Sequence, residues 1–550
     1  MKGLFRETAM NHDRPQILFA EEAVEWLDFS GQQSAWEALY QRCPWRFPTL
    51  GPEYFRLWFR HYAVEWRPLL VVVSGGEGEL HLVMPLAVRD GWITGAGAQQ
   101  AEYQGWLCAQ DESPELLQAA LLAVDKRLPA HPIKLHYLAP GMPTAMIERL
   151  CERNPRMMLT RHSRPLMQLD KEVLAQALRK KGTRSKINRL RRRGELTCRR
   201  LVDPGEISKG LDAIIGMYDL RQGAANDSCP FVDDPRKRGF LLDWVNHGAS
   251  EELHISCLML DDEVIGAHIG VVSDDACQLA ILAYSPRFGA FSPGKLQVYE
   301  TARILVGEGV GQLDLTPGGD PWKERFASAH DKVFSLMVYP NRLTATRVRL
   351  ASRIEKLARR ILDRIGISPR QIKQAMSLVK GALSRSRPVE PDQDSRRKAE
   401  YRLTRFPPLD GIEVGQVHRN TLIDLTRYCP EVNQTGRQTF LQQAMDRLES
   451  GQNAYTLMCD DQLAACAWVT YDPANTAIIQ DLYCSSAFPD ATSRLLAGTL
   501  GELKDSGLEA VLIRIPASRV ANAQWLSDLG FRATDQPDES SPAVTRDEKA

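Results

Sequence analysis

Leu258-Met-Leu-Asp-Asp-Glu-Val-Ile-Gly-Ala-His-Ile-Gly-Val-Val272, followed by Ala283-Tyr-Ser-Pro-Arg-Phe-Gly-Ala-Phe-Ser-Pro-Gly-Lys-Leu296, decides the fold. The apolar runs His254 to Leu260 and Val264 to Val272 flank Asp261-Asp262-Glu263, whose short acidic side chains suit the solvent-facing turn of a hairpin. A third apolar run, Cys277 to Tyr284, enters a loop of small residues that opens a helix, Lys295 to Glu308, and a strand from Gln312 to Leu315 closes the set. Three strands, a helix and a strand in that order predict an α/β (α+β) unit with a mixed sheet.

The same order recurs downstream. Strands are predicted at Ala454 to Met458, Leu463 to Thr470 and Thr476 to Tyr483, then a helix at Thr492 to Asp505, a strand at Ala510 to Ile515 and a helix at Ala521 to Leu529. Upstream, an aromatic helix carrying Tyr54, Phe55, Leu57, Trp58 and Phe59 precedes strands at Pro68 to Val73 and Leu80 to Val88, a helix at Glu115 to Leu128 and a strand at Ile133 to Leu138. A chain of 550 residues is long for one core at roughly 100–200 residues per domain. The boundaries expected are 15–164, 165–340, a basic helix and linker at 341–399, and 400–535. The linker is the charged, Pro-containing tract Ser384 to Lys398.

With 43% hydrophobic and 25% charged residues and no net charge, the chain reads as folded, and any electrostatic argument has to be local. Its cysteines form no CxxC pair and no Cys/His cluster at zinc spacing, so neither a disulfide scaffold nor a metal is expected. Met1 to Pro15 lacks the apolar core of a secretory signal, and no apolar run approaches the ~20 residues of a membrane span. A cytoplasmic protein is expected, with the option of lying against the inner face of the membrane.

Two stretches are strongly basic. Arg179 to Arg193 carries Lys and Arg without a single acid; it reads either as a grip for a polyanion such as tRNA or as a solvated helix between domains. Residues 343–366 space Val348, Leu350, Ile354, Leu357, Ile361 and Ile365 mostly at three- and four-residue steps among arginines, a basic amphipathic helix. Such a helix either lies on an anionic membrane, beside a synthase complex for instance, or packs its stripe on the neighbouring core. The loop Arg287 to Lys295 has the makings of a phosphate site: unpaired N–H groups at a helix start, Ser292 as a cap, Pro293 in the first turn, Gly289 and Gly294 for close approach, and Arg287 or Lys295 for charge. A helix start without any ligand is the alternative.

The quoted segments, with Leu313-Asp-Leu-Thr-Pro-Gly-Gly-Asp-Pro-Trp-Lys-Glu-Arg-Phe326, resemble the CelD/BcsL-type acetyltransferases. These belong to the GNAT superfamily and are associated with cellulose and other exopolysaccharide synthesis. Thr49-Leu-Gly-Pro-Glu-Tyr-Phe-Arg-Leu-Trp58 and the basic segment 179–193 extend the likeness over residues 45–330. The tandem layout is also similar in outline to the FemABX aminoacyl ligases. Asn522-Ala-Gln-Trp-Leu-Ser-Asp-Leu-Gly-Phe531 resembles the ending of ordinary GNAT domains, whose Arg/Gln-x-x-Gly-x-Gly phosphate loop is replaced here by Ser485-Ser-Ala-Phe-Pro-Asp-Ala.

The resemblance implies GNAT folds in tandem, mixed central sheets flanked by helices, and transfer from acetyl-CoA or another acyl-CoA to an amine or hydroxyl of a sugar, exopolysaccharide precursor or peptide. No metal is implied. The alternatives are an aminoacyl-tRNA-dependent ligase and a non-catalytic interaction module of an exopolysaccharide system. Acyl transfer needs a base, a polarised carbonyl and a protonated leaving thiolate. Asp314, at a strand end beside Thr316-Pro-Gly-Gly, is the base candidate, with a turn cap as its other reading. His268, on a strand where Gly266 and Gly270 permit a bulge, is either a second base or a core histidine. Tyr284 is placed to protonate the thiolate or simply to pack. Arg287, Gly289, Ser292, Gly294 and Lys295 would hold the CoA pyrophosphate. Tyr103, Trp322 and Lys323 would line the acceptor site, although Glu102 stands where the family more often has Asp.

Overall fold

The computed structural model describes residues 14–75, 78–109, 114–248, 252–364, 398–407, 416–431, 434–504, 506–516 and 524–534. The expected signal-free N-terminus, apart from its last two residues, and nearly all of the expected linker lie outside these. The described residues group into two compact units, one taking 14–209, 234–282 and 294–364, the other 210–233, 283–293 and the chain from 398 onward.

The first unit is organised on one mixed sheet. Its strands run in the order Gln16–Phe19, Arg67–Ser74, Leu80–Arg89, Trp92–Gly95, Ile133–Leu135, Ala329–Val338, Met157–Gln168, Gln312–Asp314, Ala276–Tyr284, Glu263–Ser273, Leu253–Leu260 and Leu196–Leu201. Leu69 to Val73 is buried throughout, as expected of a strand covered on both faces. The aromatic helix is Pro52–Tyr62, in which Tyr54, Phe55, Leu57, Trp58, Phe59 and Tyr62 are all buried. Sequence reading separates 15–164 from 165–340, yet a single sheet contains strands of both. The strand Ala329–Val338 pairs antiparallel with Met157–Gln168 on one side and with Ile133–Leu135 on the other.

The hairpin Leu253–Leu260 and Glu263–Ser273 turns where predicted, at Asp261, whose φ of 51° is a conformation Asp tolerates better than most residues. Its register slips between Leu258, opposite Gly266, and Met259, opposite Val264, so Ile265 is an extra residue beside the glycine expected to permit a bulge. Gly270 is required for another reason: a Cβ there would lie 2.5 Å from the Gln278 carbonyl oxygen of the next strand. Beyond the hairpin, Ala276–Tyr284 pairs in parallel with Gln312–Asp314.

The second unit repeats this plan. Its sheet runs Val417–Arg419, Asn453–Cys459, Gln462–Tyr471, Thr476–Cys484, Ala510–Pro516, Lys398–Leu403, Arg532–Ala533. The hairpin turns at Asp460 and Asp461, both at positive φ, slips so that Ala464 is the extra residue, and hands over to a parallel pair between Thr476–Cys484 and Ala510–Pro516. Helix Ala491–Lys504 covers one face with Leu495, Leu496, Leu500 and Leu503. A second cluster joins Trp468, Tyr428, Phe440 and Leu441 to Leu220, Ala224 and Cys229, which come from residues 210–233. That segment is tied in by the ion pair Arg437–Asp233 at 2.6 Å and by the buried Asp219 carboxylate, which accepts hydrogen bonds from the amides of Phe231 and Val232.

Gly216 lets the helix Pro204–Asn226 approach main chain: a Cβ would sit 2.7 Å from the amide nitrogen of Ile423 and 3.2 Å from its Cα. Backbone cannot swing aside as a side chain can. Gly216→Ala should therefore lower stability by about 1–3 kcal/mol, as overpacking does. Gly182→Ala, with no atom near the added carbon, should be neutral or stabilising by up to about 1 kcal/mol. Thermal unfolding of the two variants beside the parent checks the contrast; equal midpoints would contradict it.

Candidate active site

Asp314 ends its short strand in the middle of the first unit's sheet, and three donors converge on it. The Tyr103 hydroxyl donates to Oδ2 at 2.6 Å, the Thr316 amide to Oδ1 at 2.8 Å, and Arg164 Nη1 lies 3.4 Å from Oδ2. Arg164 is held in turn by Asp331 at 2.9 Å. Thr316 has a positive φ, which curls the chain so that its amide reaches back to the carboxylate. Lys323 then closes the turn: Nζ donates to Thr316 Oγ1 at 2.9 Å and to the carbonyl oxygens of Thr316 and Pro317, both at 3.1 Å. Tyr103 is fixed edge-on to Phe47, and its carbonyl accepts from Thr49 Oγ1 at 3.0 Å.

Burial raises the Asp314 carboxyl above its ordinary value, opposed by Arg164 and by the hydrogen bonds from Tyr103 and Thr316. Burial, reinforced by the neighbouring Asp314, pushes the Tyr103 phenol well above its own, so it stays a donor. The pair is closed: Asp314 is 1% exposed and Tyr103 not at all.

The open space lies next to it. A cleft of about 680 Å³ is lined by Glu102, Gln104, Lys134 and His136 together with Trp66 and Trp92. Arg89 covers the Trp66 ring at 4.9 Å, whereas Trp92 is 45% exposed. Burial raises the Glu102 carboxyl, Asp314 adds to the shift, and Lys323 opposes it. Chemically this is a carboxylate suited to accept a proton at higher pH than an ordinary glutamate, beside aromatic and hydrogen-bonding walls. Gln104 orients the floor by accepting from the His136 amide at 2.9 Å.

Of the residues expected from sequence, Asp314, Tyr103 and Lys323 come together, and Trp322 stands beside Lys323 and Phe326. His268 does not join them. Its ring is buried against His254, centroids 5.5 Å apart; among the described residues neither His268 nitrogen has a hydrogen-bond partner, and His254 Nε2 lies 3.6 Å from the Glu308 carboxylate. Gly294 and Lys295 lie in the first turn of helix Pro293–Gly307, where Lys295 Nζ sits 5.6 Å from the Tyr299 ring. Arg287, Gly289, Ser292 and Tyr284 belong to the second unit. There Ser292 is left-handed and ends the 3-10 turn Pro286–Phe291, in place of the extended backbone of a helix cap. Gly289 packs on Glu449, and Arg221 lies over the Tyr284 ring at 5.5 Å. The sequence singles out Glu102 only as a departure from the family's Asp, and it does not single out Arg164 or the cleft residues Trp66, Trp92, Gln104, Lys134 and His136. The signal is faint: Arg164 ends a polar run, Thr160 to Arg164, before the apolar Leu166 and Met167, and Glu102 adjoins Tyr103.

The acetyltransferase (GNAT) domain family matches residues 177–324, so the chain carries a GNAT domain. No curated protein matches the sequence. Among solved structures the chain is similar to FemX (12% identity, 55% of this chain and 95% of that one, TM-score 0.37). It is also similar to L-PGS from Bacillus licheniformis (11%, 54% and 96%, TM-score 0.35). A third likeness is to a GCN5-related N-acetyltransferase from Sphaerobacter thermophilus (11%, 50% and 81%, TM-score 0.28).

Removing one partner from a buried, hydrogen-bonded charge leaves the other unpaired, so Asp314→Ala should cost about 3–5 kcal/mol. Tyr103→Phe, which deletes one hydrogen bond to that charge, should cost about 1–3 kcal/mol. Denaturant titration checks the order, and a Tyr103→Phe loss as large as that of Asp314→Ala would contradict it.

Burial lowers the His254 pKa to about 4, with the nearby Arg200 adding to the shift, and lowers that of His268 well below its ordinary value. Both rings are therefore neutral in the fold and protonate first in the unfolded chain. Stability should be full above about pH 6.5 and fall on acidification below it, by on the order of 1 kcal/mol per pH unit per ring. Melting curves at successive pH values, repeated on His268→Met, should show a shallower acid loss in the variant.

Proposed function

We propose that the protein is an acyl-CoA-dependent acyltransferase, with acetyl-CoA as donor, that acylates an amino or hydroxyl group of a saccharide held in the cleft beside Glu102. The GNAT domain at residues 177–324 supports the donor. The observation that carries the acceptor is the cleft: an exposed indole, Trp92, for the apolar face of a sugar ring, with Gln104, Lys134 and Glu102 for its hydroxyls. Glu102 takes the proton from the attacking nitrogen or oxygen, which bonds to the thioester carbonyl carbon; the C–S bond then breaks, and the leaving thiolate takes up that same proton from the Glu102 carboxyl through water, which returns Glu102 to its ionised form. The Asp314–Tyr103–Arg164 cluster acts on this step only by position, holding the strand that bears Tyr103 and the turn that bears Lys323. A CelD/BcsL-type acetyltransferase of the cytoplasm, acting on a cellulose or other exopolysaccharide precursor, is the finer form of this reading and rests on the segments quoted above.

A second reading, a non-catalytic interaction module, is favoured by one contact. The loop expected to take the pyrophosphate has Glu449 against Gly289, so a diphosphate bound on that glycine would meet a carboxylate. The two readings part on turnover.

Acetyl transfer to amino sugars and oligosaccharides, followed by release of free CoA, should fall about 10²–10⁴-fold in kcat/KM for Glu102→Gln. Because the base must be ionised, the acid limb of the parent's pH profile should lie above the ordinary glutamate range, and it should vanish in the variant. Unchanged turnover in Glu102→Gln would remove Glu102 from the mechanism; no turnover with any acceptor would favour the module.

A further inference from the structure

We infer that the helix Arg342–Arg364 is a docking element for an anionic membrane surface, one that lies along the bilayer without crossing it. The helix starts firmly. Asn341 caps it, its side chain accepting from the Thr344 amide at 2.9 Å and from the Thr344 hydroxyl at 3.0 Å. It is also docked: Ala345 is completely buried, and Arg349 Nη2 donates to the Met157 carbonyl at 2.8 Å.

What the docking leaves outside is the unusual feature. At about 3.6 residues per turn, Leu343, Leu350 and Ile354 stack on one face, and Ala345 falls on the opposite one. The three are 74%, 58% and 59% exposed. An amphipathic helix of a globular protein normally turns its apolar stripe inward. Here Ala345 and Arg349 face the body, and Leu343, Leu350 and Ile354 face water.

Charge selects the occupant. From Arg342 to Arg364 the sequence has eight basic residues, Arg342, Arg347, Arg349, Arg353, Lys356, Arg359, Arg360 and Arg364, against Glu355 and Asp363. A second copy would bring the same positive charge face to face with itself. The residues that follow, Ile365 to Pro388, contain basic side chains and no acid, so they are no better matched electrostatically. Anionic headgroups are complementary: they neutralise the arginines while the stripe enters the headgroup–acyl boundary, and long Arg side chains can reach back to the phosphates. Among the described residues no helix is long and apolar enough to cross a bilayer, which fits a helix that lies in the interface. This inference is independent of the acceptor assigned to the cleft.

The test is co-sedimentation of the full-length protein with vesicles of phosphatidylcholine alone and of phosphatidylcholine with 30 mol% phosphatidylglycerol (about one anionic lipid in three). Binding is expected with the anionic vesicles, at least tenfold weaker without phosphatidylglycerol and weakened again by raising the salt to about 0.5 M. The triple variant Leu343→Gln, Leu350→Gln, Ile354→Gln should lose at least tenfold in vesicle binding with an unchanged melting temperature, because the replaced side chains are exposed. Anionic vesicles that leave the protein in the supernatant would overturn the inference, as would equal binding by the triple variant. A concentration-dependent dimer that dissociates in the triple variant, without vesicle binding, would assign the stripe to a second copy instead.

Discussion

Tyr103 and Asp314 stand 211 residues apart in the chain, and 2.6 Å separates their oxygens. That hydrogen bond is made in a place where neither partner could be left alone. A carboxylate taken out of water loses several kcal/mol of hydration unless donors replace it, and Asp314 obtains its replacements from a phenol, a backbone amide and a guanidinium drawn from three separate stretches. Each of those stretches is thereby fixed: the segment that also carries Glu102 and Gln104, the long strand Met157–Gln168, and the turn stitched by Lys323. The cleft exists in a defined shape because its wall is continuous with a cluster that cannot relax without exposing a buried charge.

The same economy of design runs through both units. A bulged hairpin followed by a parallel pair appears at Leu253–Asp314 and again at Asn453–Pro516, with the extra residue, Ile265 or Ala464, just past the turn in each. What differs is the furnishing. The first copy places a buried, hydrogen-bonded Asp at the end of its closing strand, while the corresponding strand of the second, Ala510–Pro516, is an apolar run from Ala510 to Ile513 with Arg514 beyond it and pairs with Lys398–Leu403. The repeat is one of backbone; the candidate chemistry belongs to one instance.

Much of this architecture is legible in the sequence. The hairpins, the acidic turns and the helix after the small-residue loop follow from periodicity and turn chemistry, and the strands Glu263–Ser273 and Ala276–Tyr284 lie within a residue or so of their expected ends. Two strands escape the sequence: Met157–Gln168 has Thr160 to Arg164 as a polar run, and Lys398–Leu403, although it alternates polar and apolar residues, begins where the charged linker ends, its Glu400 pairing with Arg514 across the sheet. The sequence marks Asp314 and Tyr103 separately; their contact is not legible in it, because nothing local encodes a pairing over such a distance. Nor is the exclusion of His268, which depends on how completely the flanking strands and His254 enclose it. The grouping of 210–233 with the C-terminal strands likewise rests on long-range packing, of Leu220 and Ala224 against Leu441 and Trp468.

The chain carries a GNAT domain at residues 177–324, and its proposed role is to bind a CoA thioester and transfer the acyl group. Equilibrium binding of radiolabelled acetyl-CoA to the full-length protein, set against binding of aminoacyl-tRNA under the same salt conditions, tests it most directly. Saturable one-site binding of acetyl-CoA, competed by unlabelled CoA, is expected, with no comparable uptake of aminoacyl-tRNA. Saturable aminoacyl-tRNA binding with no CoA contact would contradict it and point to a ligase; binding of neither would contradict it in favour of a module that has kept the fold without the reaction.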